Sequence, residues 1–357
     1  MKRVEALDLG RVMAMLAVIV IHVSSTYIYS PSSHTLLGMN LAFWLNQLGR
    51  FSVPLFLLIS GISLGLSTRE ESVLSFWGRR LKKIGIPYLV WTVIYQLQSV
   101  SFDPVKLAGQ IGKNPGGFLR VVLLGQAGPH MYFVIILLQC YALYPLIRKT
   151  VSRWPAASVG VAFGVTRLVQ ALYVLKRSGM DLIPKEILPY LWMLFPTWAF
   201  YFVLGCALNR DVLERVDVLC RKHTGTVLFC TAVYGCLITA EGKATQVLDS
   251  IRSCLNFYVI LVLLASFALW GLLERWGSVR KGISVLSKYS MSVYFDHVLV
   301  LTWLRRFHVF QSGTRGMILL CLAVTVLSIA VSICMDEGVG LILRKLRKKI
   351  SYQKGHI

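Results

Sequence analysis

Two basic side chains stand in the first apolar run, Asp8-Leu-Gly-Arg11-Val-Met-Ala-Met-Leu-Ala-Val-Ile-Val-Ile-His22. In a helix, the eleven steps from Arg11 to His22 make about three turns plus 20°, so both side chains share a face. At about 1.5 Å per residue they stand about 16 Å apart, roughly half the hydrocarbon thickness of a bilayer. A guanidinium at the membrane face suits an anion. An imidazole, with an ordinary pKa near 6.5, suits proton transfer from a hydroxyl. On spacing alone, a snorkelling anchor and an interhelical hydrogen bond account for the pair equally well. A second group, Arg79, Arg80, Lys82 and Lys83, precedes another apolar run. His130 opens a further run beside Gly128-Pro129, and Asp296-His297 lies mid-span. Ionisable groups at that depth are costly and mark functional sites. Asp296 and His297 are adjacent, point about 100° apart on a helix and cannot both face one track, so His297 is expected to line the cavity.

The elements that must position these residues are membrane helices. The chain has 357 residues, 56% hydrophobic and only 15% charged, which excludes an ordinary soluble domain. Ten apolar runs are readable, at roughly 10–29, 41–66, 84–101, 131–148, 156–175, 190–208, 224–240, 254–273, 289–304 and 316–343. The fold class expected is therefore all-α, a multi-pass protein of the cell membrane with about ten transmembrane helices. Its transmembrane domain covers 1–343 and a basic cytoplasmic tail 344–357. If the N-terminus is cytoplasmic, inner loops and ends hold 25 Lys and Arg, outer ones 11, which decides for cytoplasmic termini. The net charge of +22 follows this topology, so it argues for membrane lipids and an anionic ligand and against nucleic acid.

Arg50 is expected to snorkel at an outer end, and Arg167 to sit deeper and need a partner. Gly61-x-x-x-Gly65 and Gly160-x-x-x-Gly164 are expected to let helices pack closely, the latter also offering a homodimer contact. The long outer loop 102–130 suits a re-entrant or interfacial segment. Trp44, Trp91, Trp154, Trp192 and Trp276 read as an interfacial belt. The eight cysteines form no CxxC pair and read as small apolar packers, so no metal site is expected. No Gly-x-Ser-x-Gly elbow supports a serine hydrolase.

Several ordered fragments carry a family resemblance. They are Asp8-x-x-Arg11 with His22, Pro54-x-Phe56 and Ile59-Ser60-Gly61, Phe76-x-x-x-Arg80-x-x-Lys83-Ile84-x-x-Pro87-Tyr88, and His130-Met131-Tyr132-Phe133. Tyr141-x-x-Tyr144-Pro145-Leu146 and Ser292-Val-Tyr294-Phe-Asp-His297 follow at similar spacing. Together they resemble the acyltransferase-3 family of integral membrane acyltransferases. Lys83 replaces the family's commoner Arg, and Met131-Tyr132 replaces its Leu-Trp. The resemblance implies transfer of an acyl group, commonly acetyl from cytoplasmic acetyl-CoA or another acyl-CoA, to a hydroxyl of an extracytoplasmic glycan or lipid-linked sugar. It implies that His22 and Arg11 are the catalytic pair and that the cluster of Arg80, Lys83 and Arg79 meets the coenzyme. His130, Tyr132, Tyr294 and His297 become candidates for binding the acceptor. A homodimer or a separate extracytoplasmic transferase are the protein partners compatible with it. Two other function classes suit the same ten spans: a polysaccharide exporter, and a non-catalytic membrane sensor or docking domain.

Overall fold

The computed structural model describes residues 4–29, 35–36, 39–177, 188–310 and 313–354, with side chains described as far as Gly338. The side chains of the basic tail at 344–357 lie outside the described residues. Apart from two antiparallel two-residue strands, Thr35–Leu36 and Met39–Asn40, the described elements are helical. In chain order they are α1 (Glu5–Ser25), α2 (Leu41–Leu48), α3 (Ser52–Gly65), α4 (Val73–Arg80), α5 (Ile86–Ser99), α6 (Pro104–Lys113), α7 (Pro115–Leu124) and α8 (Tyr132–Arg153). There follow α9 (Pro155–Arg177), α10 (Phe195–Ala207), α11 (Arg210–Lys222), α12 (Thr224–Thr245), α13 (Leu255–Leu273), α14 (Gly277–Leu304) and α15 (Gly313–Lys354). Among the described residues, eight helices are long and apolar enough to cross a membrane; Leu41–Gly65 counts as one of them. The chain is an all-α, multi-pass membrane protein.

The two remaining expected spans fall below that standard for physical reasons. The third is the 14-residue α5, preceded by a wide helical turn at Leu81–Gly85 and by the amphipathic α4. The ninth is α14, whose Ser284, Ser287, Lys288, Ser290 and Ser292 line a cavity, which lowers its hydropathy. Two helical irregularities trace to prolines. Pro54 has no N–H for the carbonyl of Arg50, and a tight 3₁₀ turn at Gly49–Phe51 joins α2 to α3. Pro87 likewise has none for the carbonyl of Lys83, inside the wide turn.

The centre of the bundle is the crossing of α3 and α10. A Cβ on Gly61 would overlap the carbonyl of Phe202, and one on Gly205 the carbonyl of Leu58. Both obstacles are backbone, so no rotamer relieves them. Gly205→Ala is therefore expected to force the helices apart and lower stability by about 3 kcal/mol. Gly160 has open space around it, so Gly160→Ala should leave stability unchanged or slightly raised. Thermal unfolding of both variants in detergent checks the contrast; equal midpoints would contradict it.

The structure corrects several expectations. Gly160 and Gly164 face open space rather than a packed neighbour, and Arg167 lies on the exposed face of α9. Trp44 and Trp91 are buried, whereas Trp154 and Trp276 are exposed and sit beneath Arg153 and Arg275. Cys230, Cys236 and Cys334 lie on exposed faces instead of packing inside. The segment 104–124 forms two short helices, and the Tyr88 hydroxyl in the first turn of α5 donates to the carbonyl of Val122 in α7. The second helix of the loop thus reaches the start of the third span.

Candidate active site

A cavity of about 790 Å³ opens among α1, α3, α5, α8, α14 and α15. Arg11, Arg80, Lys83 and Lys288 bring four cationic side chains to its wall, against Asp296 and Asp336. The positive balance falls on the side that the distribution of Lys and Arg marks as cytoplasmic. Arg11 is held from two directions. Its Nη1 pairs with Asp8 Oδ1 at 2.6 Å, and its Nη2 donates to Ser63 Oγ at 2.6 Å. Asp8 is 2% exposed and also accepts from Ser287 Oγ at 2.8 Å. One buried carboxylate thereby fixes the guanidinium and ties α1 to α14. Arg80 lies 5.5 Å from the ring centre of Phe76 and 5.1 Å from that of Tyr141, a stacked arrangement that leaves a guanidinium facing the cavity. Arg79 departs from its neighbours. It does not line this cavity but pairs with Glu71 beside a smaller one of about 220 Å³, where Arg69, Arg80 and Arg148 also stand.

Lys83 is reached through the cavity. Partial burial, then the charges of Arg80, Arg11 and Arg79, hold its ammonium below the ordinary lysine pKa. An anion bound beside it would raise that pKa again. Binding of a phosphate-bearing ligand should therefore be strongest at low pH, where Lys83 is charged already. It should weaken as pH rises through the window from the lowered value to the ordinary lysine value. Lys83→Arg removes that titration, and a titration of affinity against pH should then be flat across the window. An unchanged slope in this variant would assign the dependence elsewhere.

Beyond the inner end of the cavity lies a cluster of three imidazoles. His22 comes from α1, His130 from the turn just before α8, and His297 from α14. Ring centres are 5.1 Å apart for His22–His297, 6.0 Å for His22–His130 and 4.9 Å for His130–His297. His130 and His297 are buried, whereas His22 keeps part of its surface exposed. His297 Nδ1 faces the carbonyls of Val293 at 3.1 Å and Tyr294 at 2.8 Å. Carbonyls only accept, so Nδ1 carries a proton; Nε2, on the ring edge away from its own helix, is buried without a partner. His130 Nε2 donates to the carbonyl of Phe295 at 3.3 Å. The same carbonyl accepts from the Tyr95 hydroxyl at 2.7 Å, while that hydroxyl accepts from the N–H of Leu299 at 3.2 Å. Tyr95 thus inserts into the backbone ladder of α14 where His130 docks.

Asp296 and His297 are divided between the two compartments. Asp296 lines the cationic cavity and accepts from Ser332 Oγ at 2.7 Å, and His297 joins the imidazoles. Tyr294 contacts both His130 and His297, at 5.4 and 5.9 Å between ring centres. Tyr132 is not in the cluster; its ring packs at 4.4 Å against Trp192. Arg50 is drawn inward rather than snorkelling. Its Nη2 donates to Asn46 Oδ1, and Asn46 Nδ2 donates to the carbonyl of Ile21 at 3.1 Å, next to His22. Sequence reasoning did not assign Asp8, Ser63, Ser287, Tyr95 or Asn46 a positioning role. Only Asp8 carried a signal, three residues before Arg11. Among the described residues, no group of His, Cys, Asp and Glu side chains could hold a metal ion.

A cationic cavity on one side and a cluster of bases beyond its end suit the meeting of an anionic donor with a hydroxyl. The family model described as "Acyltransferase domain" matches residues 4–337. A protein of Bacillus subtilis (strain 168), named "Putative membrane-bound acyltransferase YfiQ", is 24% identical over 255 residues, covering 69% of this chain and 67% of that protein. No solved structure matches the chain.

Proposed function

Starting from a chain that belongs to the acyltransferase-3 family and is a membrane acyltransferase, we propose that it transfers an acyl group, acetyl in the first instance, from cytoplasmic acyl-CoA to a hydroxyl of an extracytoplasmic or lipid-linked carbohydrate. The observation that carries this proposal is the succession from Arg11, Arg80 and Lys83 in the cavity to His22, His130 and His297 beyond it. Coenzyme A brings several phosphate charges, which the cavity's guanidinium and ammonium groups complement. Arg79 contributes to the same field from the adjoining small cavity.

His22 takes the proton of the acceptor hydroxyl as its oxygen attacks the thioester carbonyl. The tetrahedral intermediate collapses with cleavage of the C–S bond. The imidazolium of His22 returns the proton to the departing thiolate, so the products are an ester and coenzyme A. His297 Nε2 accepts a hydrogen bond from the incoming acceptor, which satisfies its buried lone pair. His130 is held in place by the carbonyl of Phe295 and sets the opposite wall. Tyr132 and Trp192 offer a second aromatic surface for the sugar ring.

Labelled acetyl-CoA, offered to the purified protein with cell-envelope carbohydrate, should leave alkali-labile label on the carbohydrate. If no acyl-CoA yields labelled carbohydrate, the donor and acceptor assigned here are wrong. Movement of unmodified polysaccharide across proteoliposomes without any coenzyme would favour the exporter instead.

A further inference from the structure

The inner end of the cationic cavity is closed by aromatic rings. Phe56 of α3 and Phe133 of α8 line it, with centres 5.9 Å apart. Tyr294 of α14 stands 6.3 Å from Phe56 and 5.1 Å from Phe133, and it also contacts Phe295, His130 and His297. One layer of rings therefore separates the cavity from the imidazoles. The three rings differ in freedom. Tyr294 is tethered, because its hydroxyl donates to the carbonyl of His130. Phe133 is only 2% exposed. Phe56 keeps exposed surface toward the cavity, and a phenyl ring makes no hydrogen bond to anchor it.

In a donor whose phosphates stay among Arg11, Arg80 and Lys83, the acyl group is the leading end. To bring its carbonyl to His22 it must pass this layer. We propose that Phe56, with Phe133 and Tyr294 as the fixed side of the opening, determines which acyl groups are transferred, passing small uncharged ones and rejecting long or charged ones. The inference rests on the proposed function. Its physical basis is twofold. A ring that turns aside within a packed layer frees little volume, so each added methylene meets increasing resistance. A carboxylate entering the layer would leave water for a surface of ring carbons and hydrogens with no ionic partner. Methylene-level discrimination of this kind is worth about 10-fold or more in kcat/KM.

Acetyl-, hexanoyl- and succinyl-CoA compared as donors for the same acceptor test the proposal. The wild type should favour acetyl by at least about 10-fold over both others. Phe56→Ala should raise hexanoyl relative to acetyl transfer by about 10-fold, and Phe56→Leu by less. Thermal unfolding and coenzyme binding of both variants establish that they are folded. Succinyl should remain excluded in Phe56→Ala, because removing the ring supplies no cation. An unchanged acyl preference in folded, acetyl-transferring Phe56→Ala and Phe56→Leu overturns the proposal while leaving the function intact. So does wild-type transfer of hexanoyl or succinyl at the acetyl rate. If the wild type transfers no acyl group at all, the proposed function falls, and the selectivity assignment with it.

Discussion

Replacing His22 with alanine is expected to slow acyl transfer by about 10²–10⁴-fold while leaving donor binding within about twofold of the wild type. The two halves of this expectation come from different parts of the structure. His22 is not among the residues lining the cavity that holds Arg11, Arg80 and Lys83, so its removal leaves the coenzyme's phosphate contacts intact. Its ring does lie 5.1 Å from His297 and 6.0 Å from His130, in the cluster where the proposed reaction takes the hydroxyl proton. The two neighbours are less accessible. His297 and His130 are both buried, each held by one ring nitrogen, His297 on the carbonyls of Val293 and Tyr294 and His130 on that of Phe295. His22 alone of the three keeps part of its surface exposed. Single-turnover transfer together with calorimetric binding of acyl-CoA separates the two effects. Transfer by His22→Ala within threefold of the wild type would remove this residue from the chemistry. A large loss of donor binding would move it into the coenzyme site.

Arg11→Ala should fail in both respects. It removes a cation from the cavity, and it also takes the paired guanidinium away from Asp8, a carboxylate 2% exposed. Breaking a buried pair by removing one member costs about 3–5 kcal/mol where the other charge loses its compensation entirely. Arg11 itself is 27% exposed, and Asp8 retains Ser287 as a donor, so the lower end of that range is expected. The double variant Asp8→Asn with Arg11→Gln should therefore recover much of the lost stability. It should recover none of the donor affinity, since the guanidinium facing the coenzyme is still missing. Thermal unfolding and coenzyme binding measured across this cycle decide the matter. Equal stability of Arg11→Ala and the double variant would show that Asp8 does not depend on Arg11.

The shared face of Arg11 and His22 was legible in the sequence because it depends on helical periodicity alone, and α1 runs unbroken from Glu5 to Ser25. The multi-pass architecture was legible for the same kind of reason: apolar runs of sufficient length have few other uses. Contacts between helices were not. Ser63 and Ser287 reach Arg11 and Asp8 across two separate interfaces, and nothing local to either serine announces it. His130 and His297, 167 positions apart in the sequence, meet because His130 docks on α14, its Nε2 on the carbonyl of Phe295 and its own carbonyl under the Tyr294 hydroxyl. The glycine patterns illustrate the limit well. Gly61-x-x-x-Gly65 and Gly160-x-x-x-Gly164 look alike, yet the first lies against the backbone of α10 and the second faces open space. Helix spacing defines which residues share a face, whereas the neighbour on that face is set by tertiary packing.

The central claim is that a donor held on the cytoplasmic side and an acceptor from the other side meet at His22. Proteoliposomes with the protein in one orientation, carbohydrate acceptor sealed inside and labelled acyl-CoA added outside, test it most directly. With the cytoplasmic face outward, label should appear on the enclosed carbohydrate, and His22→Ala vesicles should show none. With the opposite orientation, the same external coenzyme should give no labelled product. Equal labelling from both orientations, or labelling only of carbohydrate on the coenzyme's own side, would contradict the account.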